Sequence, residues 1–266
     1  MIYCNLKGGL ANMLFQIATT KSMAIDLGVG CSFPNLIYQY NLMDSDDYYN
    51  PRLKHSFEYQ EMFSRLRYTQ PTQQLPVIRY PFEYQVSETP NDEFYIDGFF
   101  QCEKYFGHNK LQINEFLKIP KSIQTHITKK YGEILKERTT SIHIRRGDYA
   151  KLPNHHPMLS MDYYNEAIEI LKKDTDKFII FSDDIEWCKD NFNFINPIYI
   201  DSEKDYIEIY LMGMCDNNII ANSSFSLWAA IMNQNENKIV VGPKIWFGPS
   251  ITFNAVDVLP DNWIKL

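Results

Sequence analysis

The chain contains no C-x-x-C pair, and its five cysteines (Cys4, Cys31, Cys102, Cys188 and Cys215) are odd in number. That spacing suggests neither a disulfide framework nor a zinc site, and it fits free thiols in a reducing compartment. The opening "MIYCNLKGG" has no basic region followed by a long apolar stretch, and no later run is long enough to span a bilayer. These absences predict a soluble cytoplasmic protein and leave room for peripheral association at a membrane surface. No repeat period or low-complexity tract is present. Lys and Arg are scattered and the net charge is −7, so no basic stripe marks a nucleic-acid binder. G-x-G-x-x-G, the G-x-x-x-x-G-K-[ST] phosphate loop, the G-x-S-x-G elbow and H-E-x-x-H are all missing. A Rossmann dehydrogenase and a P-loop ATPase therefore have no support.

What is present is an apolar share of 45% in 266 residues, enough for one large domain or two small ones. The aromatic share of 15% suits either a sugar-stacking surface or core filling, and core filling is the preferred reading. Four short apolar runs share one grammar: "MIYCNL" leads into "KGGLANM", "SIHI" into "RRGDY", "FIIF" into "SDD" and "NNIIA" into "NSSFS". Each reads as a buried strand of a parallel sheet that ends in polar residues before a helix. Leu14, Ile17, Ala18 and Ile25 mark a helical stripe after the first run, interrupted by Lys21. After the second, Ser160 can cap a helix whose Tyr164, Ala167 and Leu171 share a face. Strand–loop–helix units give an α/β architecture, in which ligands bind beyond the carboxyl ends of the strands, where all four polar clusters fall.

Residues 35–95, rich in Tyr, Pro and Gln, read as long loops with short elements; "EFYIDGFFQCEKYF" reads as a strand, a turn and a helix start. The helical pattern that follows breaks at Pro120. Two halves are expected, residues 1–130 and 131–266.

In "HIRRGDY", Arg145 and Arg146 offer two planar forks of N–H donors suited to a diphosphate; pairing with Asp148 or another internal carboxylate is the equal alternative. His143 either positions a substrate or fills the core. Asn222, Ser223 and Ser224 precede a helix, whose N-terminus suits phosphate, and ordinary capping is the competing reading. Asp183 and Asp184 can serve a nucleotide, a metal or the following helix. Gly8 and Gly9 permit close backbone approach, with Asn12 able to hydrogen-bond a phosphate or sugar; a tight turn explains them equally. Two D-x-D triplets, Asp44-Ser45-Asp46 and Asp174-Thr175-Asp176, are the type of pair that holds Mg²⁺ or Mn²⁺. The second sits at the wrong end of a sheet and the first follows no strand, so no metal ligand is expected.

Taken together, "GGLANMLFQIA", "SIHIRRGDY", "YIDGFFQCEKYF", "FSDDIEWCK", "NNIIANSSFSLWAAIMN" and "PKIWF…PDNWIKL" resemble, in order and over nearly the whole chain, the α-1,2-fucosyltransferase family. The resemblance implies a GT-B-like fold, two Rossmann-like halves with parallel sheets facing a central cleft. It implies transfer of L-fucose from GDP-β-L-fucose to a hydroxyl of a galactoside or related glycan, without a metal cofactor. The C-terminal half would hold the donor and the N-terminal half the acceptor side. Arg145 would contact the β-phosphate with Arg146 in support. Asp183, Asn222, Ser223 and Ser224 would surround the nucleotide, Gly8 and Gly9 would help bind GDP-fucose, and Asn12 would lie near the reacting sugar. Asp148 is the candidate base and His143 the fallback. Ala11, Met13, Ile17, Leu227 and Ala229 depart from the family's usual Gly, Gln, Tyr, Trp and Gly, which bears on acceptor and linkage more than on donor. A metal-dependent transferase of another nucleotide sugar and a non-catalytic carbohydrate-binding protein are the alternatives. Adjacent residues of a strand point to opposite faces, so one arginine is expected to reach a given ligand, and the reading expects the guanidinium groups and the serine-led helix start to meet at one pocket.

Overall fold

The structure, a computed structural model, describes residues 1–36 and 59–266. The triplet Asp44-Ser45-Asp46 and most of the Tyr-rich loop around it lie outside the described residues. The chain divides into two compact units, Met1–Pro120 with Val256–Val258, and Lys121–Ala255 with Leu259–Leu266.

The first unit carries a parallel sheet of β1 (Ile2–Cys4), β2 (Cys31–Ser32), β3 (Val77–Arg79) and β4 (Phe94–Asp97), in the order β2-β1-β4-β3. The first apolar run is β1, and α1 (Leu10–Asp26) is its crossover to β2. A single turn, α2 (Gln60–Phe63), and a short helix, α3 (Lys110–Phe116), complete the unit. The stripe expected on α1 is wider than its periodicity suggests. Leu10, Ala11, Met13–Thr20, Ser22 and Ala24 are all buried, while Ile25 is only partly so. The reason is that α1 packs against β1, β2, α3 and the turn Glu103–Tyr105. Two of its buried polar residues are satisfied inside: Thr20 donates to the Gln16 carbonyl at 2.6 Å, and Ser22 Oγ accepts from Asn109 at 3.0 Å.

The second unit has six parallel strands, β5 (Thr139–Ile144), β6 (Lys177–Ser182), β7 (Ile198–Ile200), β8 (Asn217–Ile219), β9 (Val240–Gly242) and β10 (Ile264–Lys265). Their order, β10-β9-β8-β5-β6-β7, runs outward from β5 in one direction and then from β8 in the other. This is the Rossmann arrangement, and its topological switch point lies between β5 and β8. The helices are α4 (Lys121–Tyr131), α5 (Met161–Leu171), α6 (Ile185–Asn191), α7 (Asp205–Gly213) and α8 (Ser224–Met232). Ile142, Ile144, Ile180, Ile219 and Val241 form a core layer with Tyr164, Ala167 and Leu171 of α5. Ser160 caps α5 as expected, accepting from the Tyr163 N–H.

Pro120 separates α3 from α4, and α4 belongs to the second unit. It is held there by Glu203, which receives hydrogen bonds from Lys130 (2.6 Å) and Tyr131 (2.7 Å) and lies 3.1 Å from His126. Burial pushes the Glu203 carboxyl up, but these partners outweigh it and hold it down at about 2. All five cysteines are free, and burial raises the Cys188 thiol to about 11. No described helix is long and apolar enough to cross a membrane.

Candidate functional site

Three loops leave the carboxyl ends of β5, β6 and β8 beside the switch point. They carry Arg145–Tyr149, Asp183–Asp184 and Ile220–Ser223 respectively. The Tyr149 hydroxyl donates to the Asn222 carbonyl at 2.9 Å, tying the first loop to the third across the crevice. His143 Nδ1 lies 3.0 Å from Ser226 Oγ, tying β5 to the first turn of α8. Arg145, Asn222, Ser223 and Ser224 are thus brought to one crevice because their strands flank the reversal in strand order.

Arg145 spans two carboxylates, Asp148 at 2.7 Å and Asp183 at 3.1 Å, with 28% of its side chain exposed. Its guanidinium lies 5.6 Å from the centre of the Tyr149 ring. Arg146 turns the other way, with Nε 3.0 Å from Asp184 and the guanidinium 3.9 Å above the Trp187 ring. The expectation that both guanidinium groups converge is therefore corrected. Consecutive residues leave a strand end in opposite directions, so Arg145 serves the crevice and Arg146 fastens the β5 loop to α6. Both arginines are matched with the protein's own acids, and the partner of Asp148 is Arg145.

The acids divide the same way. Asp184 caps α6, accepting from the Trp187 N–H at 3.3 Å. Asp183 accepts from the Arg146 N–H at 2.9 Å while it holds Arg145. Gly147 makes this possible, because a Cβ there would stand 2.6 Å from the Asp183 carboxylate. Gly147→Ala is expected to displace that carboxylate and lower thermal stability, which a thermal-unfolding assay checks.

His143 is 4% exposed, and burial, assisted by the Arg145 charge, holds its pKa down at about 3. It packs as a core residue, the second of its two sequence readings, and a side chain with so little exposed surface is poorly placed to take a proton from an acceptor. Ser223 caps α8 by accepting from the Phe225 N–H, and Ser224 opens the helix. Asn222 is 2% exposed and donates to the carbonyls of Pro157 (3.0 Å) and Trp246 (3.1 Å). Its Oδ1 is buried without a hydrogen-bond partner among the described residues. Sequence reasoning missed Trp187, Tyr149 and Glu208. The last lies in the first turn of α7, where burial and the charges of Asp205, Glu203, Asp183 and Asp201 push its pKa up to about 8.

Gly8, Gly9 and Asn12 form a separate cluster in the first unit, after β1. Gly8 has φ +84°, and a Cβ there would meet Asn12 Nδ2 at 2.5 Å. Gln16 braces the turn, accepting from the Lys7 N–H (3.0 Å) and donating to the Lys7 carbonyl (2.8 Å). Asn35 does the same for Leu6, at 2.9 and 2.7 Å. Asn12 Oδ1 accepts from Gln101 Nε2 at 2.8 Å. Asp176 pairs with Arg138, beside the start of β5, so the second D-x-D triplet lies at the opposite end of the sheet from the crevice. Among the described residues no three His, Cys, Asp or Glu side chains are grouped to hold a metal ion.

Glycosyl transferase family 11 matches residues 78–265. The Escherichia coli O-antigen biosynthesis glycosyltransferase WbnK is 30% identical over 319 aligned positions, covering 100% of both chains. An Escherichia coli alpha-1,2-colitosyltransferase is 32% identical over 179 residues, covering 64% of this chain and 61% of its own. Among solved structures, the fucosyltransferase NodZ from Bradyrhizobium superposes with a TM-score of 0.52 at 13% identity, covering 87% of this chain and 91% of that one. NodZ co-crystallised with GDP gives 0.51 at 12% identity over 87% and 92%. At that identity the likeness concerns the fold alone, the two-unit GT-B arrangement of parallel sheets. The chain belongs to glycosyl transferase family 11, the α-1,2-fucosyltransferase family.

Proposed function

We propose that the protein transfers L-fucose from GDP-β-L-fucose to a hydroxyl of a galactoside, with inversion, to give an α-1,2 linkage. The observation that carries this reading is Arg145, partly exposed at the switch point beside a serine-capped helix start. Breaking the sugar–phosphate bond moves negative charge onto the β-phosphate, and a guanidinium fixed there stabilises it as the bond lengthens. Asp148 and Asp183 hold that guanidinium in place beforehand, so little reorganisation is needed during reaction. The N–H groups at the start of α8 supply further donors for phosphate. The acceptor hydroxyl loses its proton late, so a weak base suffices. Asp148 is the candidate, its negative charge already beside Arg145.

The 32%-identical colitosyltransferase supports a second donor reading, in which the sugar moved is colitose. Mass analysis of products from GDP-fucose, a colitosyl donor, and UDP- and CMP-sugars against a panel of galactosides separates these. The expected result is one fucosyl addition, with the same rate in excess EDTA. Product from a UDP- or CMP-sugar alone, dependent on added metal, would overturn the proposal.

A further inference from the structure

In the first unit β1 has β2 on one side and β4 on the other, so the loops after β1 and β4 leave the carboxyl edge of the sheet side by side. Three contacts tie these loops together. Lys7 pairs with Asp97, and its ammonium stands 5.0 Å from the centre of the Phe99 ring. Gln101 Nε2 donates to Asn12 Oδ1 at 2.8 Å, which leaves the Asn12 amide nitrogen to face a ligand as a donor. Arg79 Nε lies 3.9 Å from the Asp97 carboxylate. Phe99 is 39% exposed although it is a large apolar residue, whereas Phe100 is fully buried between Tyr80 and Tyr105, its ring centre 5.2 Å from each of theirs. Phe100 takes that place with φ +55°, a left-handed backbone that is an outlier for a bulky side chain. The loop thus buries its second ring and presents its first to solvent. The polar groups are open as well: Lys7 and Asp97 keep 41% and 40% of their side chains exposed, and Asn12 and Gln101 are partly exposed.

We propose that Phe99 and Asp97, braced by Lys7, are the contacts that hold the acceptor sugar, an inference that rests on the fucosyl-transfer reading above. That reading gives the crevice of the second unit to GDP-fucose. In a parallel α/β sheet the ligand edge is the carboxyl end of the strands, so the corresponding edge of the first unit is left for the acceptor. A hexopyranose presents a face of C–H groups and a rim of hydroxyls. The exposed part of the Phe99 ring takes the C–H face, and the Asp97 carboxylate, which only accepts, takes hydroxyl hydrogens from the rim. Lys7 fixes both groups at once, because its ammonium pairs with the carboxylate and is attracted to the ring face. Gln101 does the same for Asn12, whose amide it holds in one orientation.

The test uses lactose as the acceptor probe and GDP-fucose as donor. Phe99→Ala is expected to raise the lactose KM roughly tenfold, the size of one lost ring contact, while the GDP-fucose KM stays within about twofold. Phe99→Tyr, which keeps the ring, should return the lactose KM to near its wild-type value. Asp97→Asn keeps the shape, loses the charge and should also raise the lactose KM roughly tenfold. Thermal unfolding shows whether each variant is folded, and if Asp97→Asn is not, the two Phe99 variants decide alone. An unchanged lactose KM in Phe99→Ala would remove the ring from the site, and a GDP-fucose KM raised as much as that of lactose would hand the loops to the donor; either result overturns the proposal. The donor reading is checked apart from it, because the wild type should release GDP from GDP-fucose by transfer or by slow hydrolysis to water. If neither occurs, the donor reading fails. Saturation-transfer NMR of lactose on wild type and Phe99→Ala then decides the subsite: weaker transfer in the variant supports it, and equal or absent transfer in both overturns it.

Discussion

Arg145→Ala is expected to lower the kcat for transfer by about 10²- to 10³-fold, the loss typical of removing one preorganised donor to a developing oxyanion. The effect on folding should be far smaller. Arg145 is 28% exposed and its partners Asp148 and Asp183 are 42% and 26% exposed, so each ion pair is screened and contributes no more than about 1 kcal/mol. Arg146→Ala should behave in the opposite sense. Its guanidinium stacks on Trp187 and pairs with the cap of α6, so its loss costs roughly 1 to 2 kcal/mol of stability and less turnover. Kinetics and thermal unfolding of the two variants side by side therefore assign different work to adjacent residues of the same type. Equal kcat losses in both would mean that the arginines act as a pair, and near-normal turnover in Arg145→Ala would remove it from the reaction. Arg145→Lys should recover little, because one ammonium cannot bridge Asp148 and Asp183 as the fork does.

Much of this was legible before any coordinates. The strands "SIHI", "FIIF" and "NNIIA" are buried on both faces and therefore read as unbroken apolar runs. Their polar ends announce a ligand edge because the sheet is parallel. The capping by Ser160 and the break at Pro120 follow from local chemistry and fall where they were expected. The opposite directions of Arg145 and Arg146 follow from strand alternation, but the acid that each one meets was not legible: Asp183 and Asp184 arrive from a strand nearly forty residues away. The neutral state of His143 was also hidden, because alternation gives its strand face but not how completely α8 covers it. The preference for core filling is right for Phe181 and Phe192 and wrong for Phe253.

Glu208→Gln is expected to stabilise the protein at neutral pH. In the native state burial, then the charges of Asp205, Glu203, Asp183 and Asp201, push the Glu208 pKa from 4.5 to about 8. Its place in the first turn of α7 works the other way, since a helix N-terminus favours a carboxylate, but that effect is worth only about 0.3–1 kcal/mol and loses. The folded chain thus keeps a proton that the unfolded chain releases above pH 4.5, so unfolding releases a proton and stability falls as pH rises. The favourable contribution is complete below pH 4.5 and is lost progressively up to about pH 8. At pH 7 the loss amounts to roughly 3 kcal/mol by linkage. Gln has the shape of the protonated acid and no charge to release, so the variant should regain most of that and melt several degrees higher. Denaturant unfolding from pH 5 to pH 8 should show a downward slope in the wild type that is largely absent in Glu208→Gln. Parallel slopes would mean that Glu208 is ionised at neutral pH. The same logic links this residue to Arg145, whose guanidinium offsets the Asp183 charge: in Arg145→Ala that charge acts on Glu208 undiminished, its pKa moves higher still, and the gain from adding Glu208→Gln becomes larger than in the wild-type background.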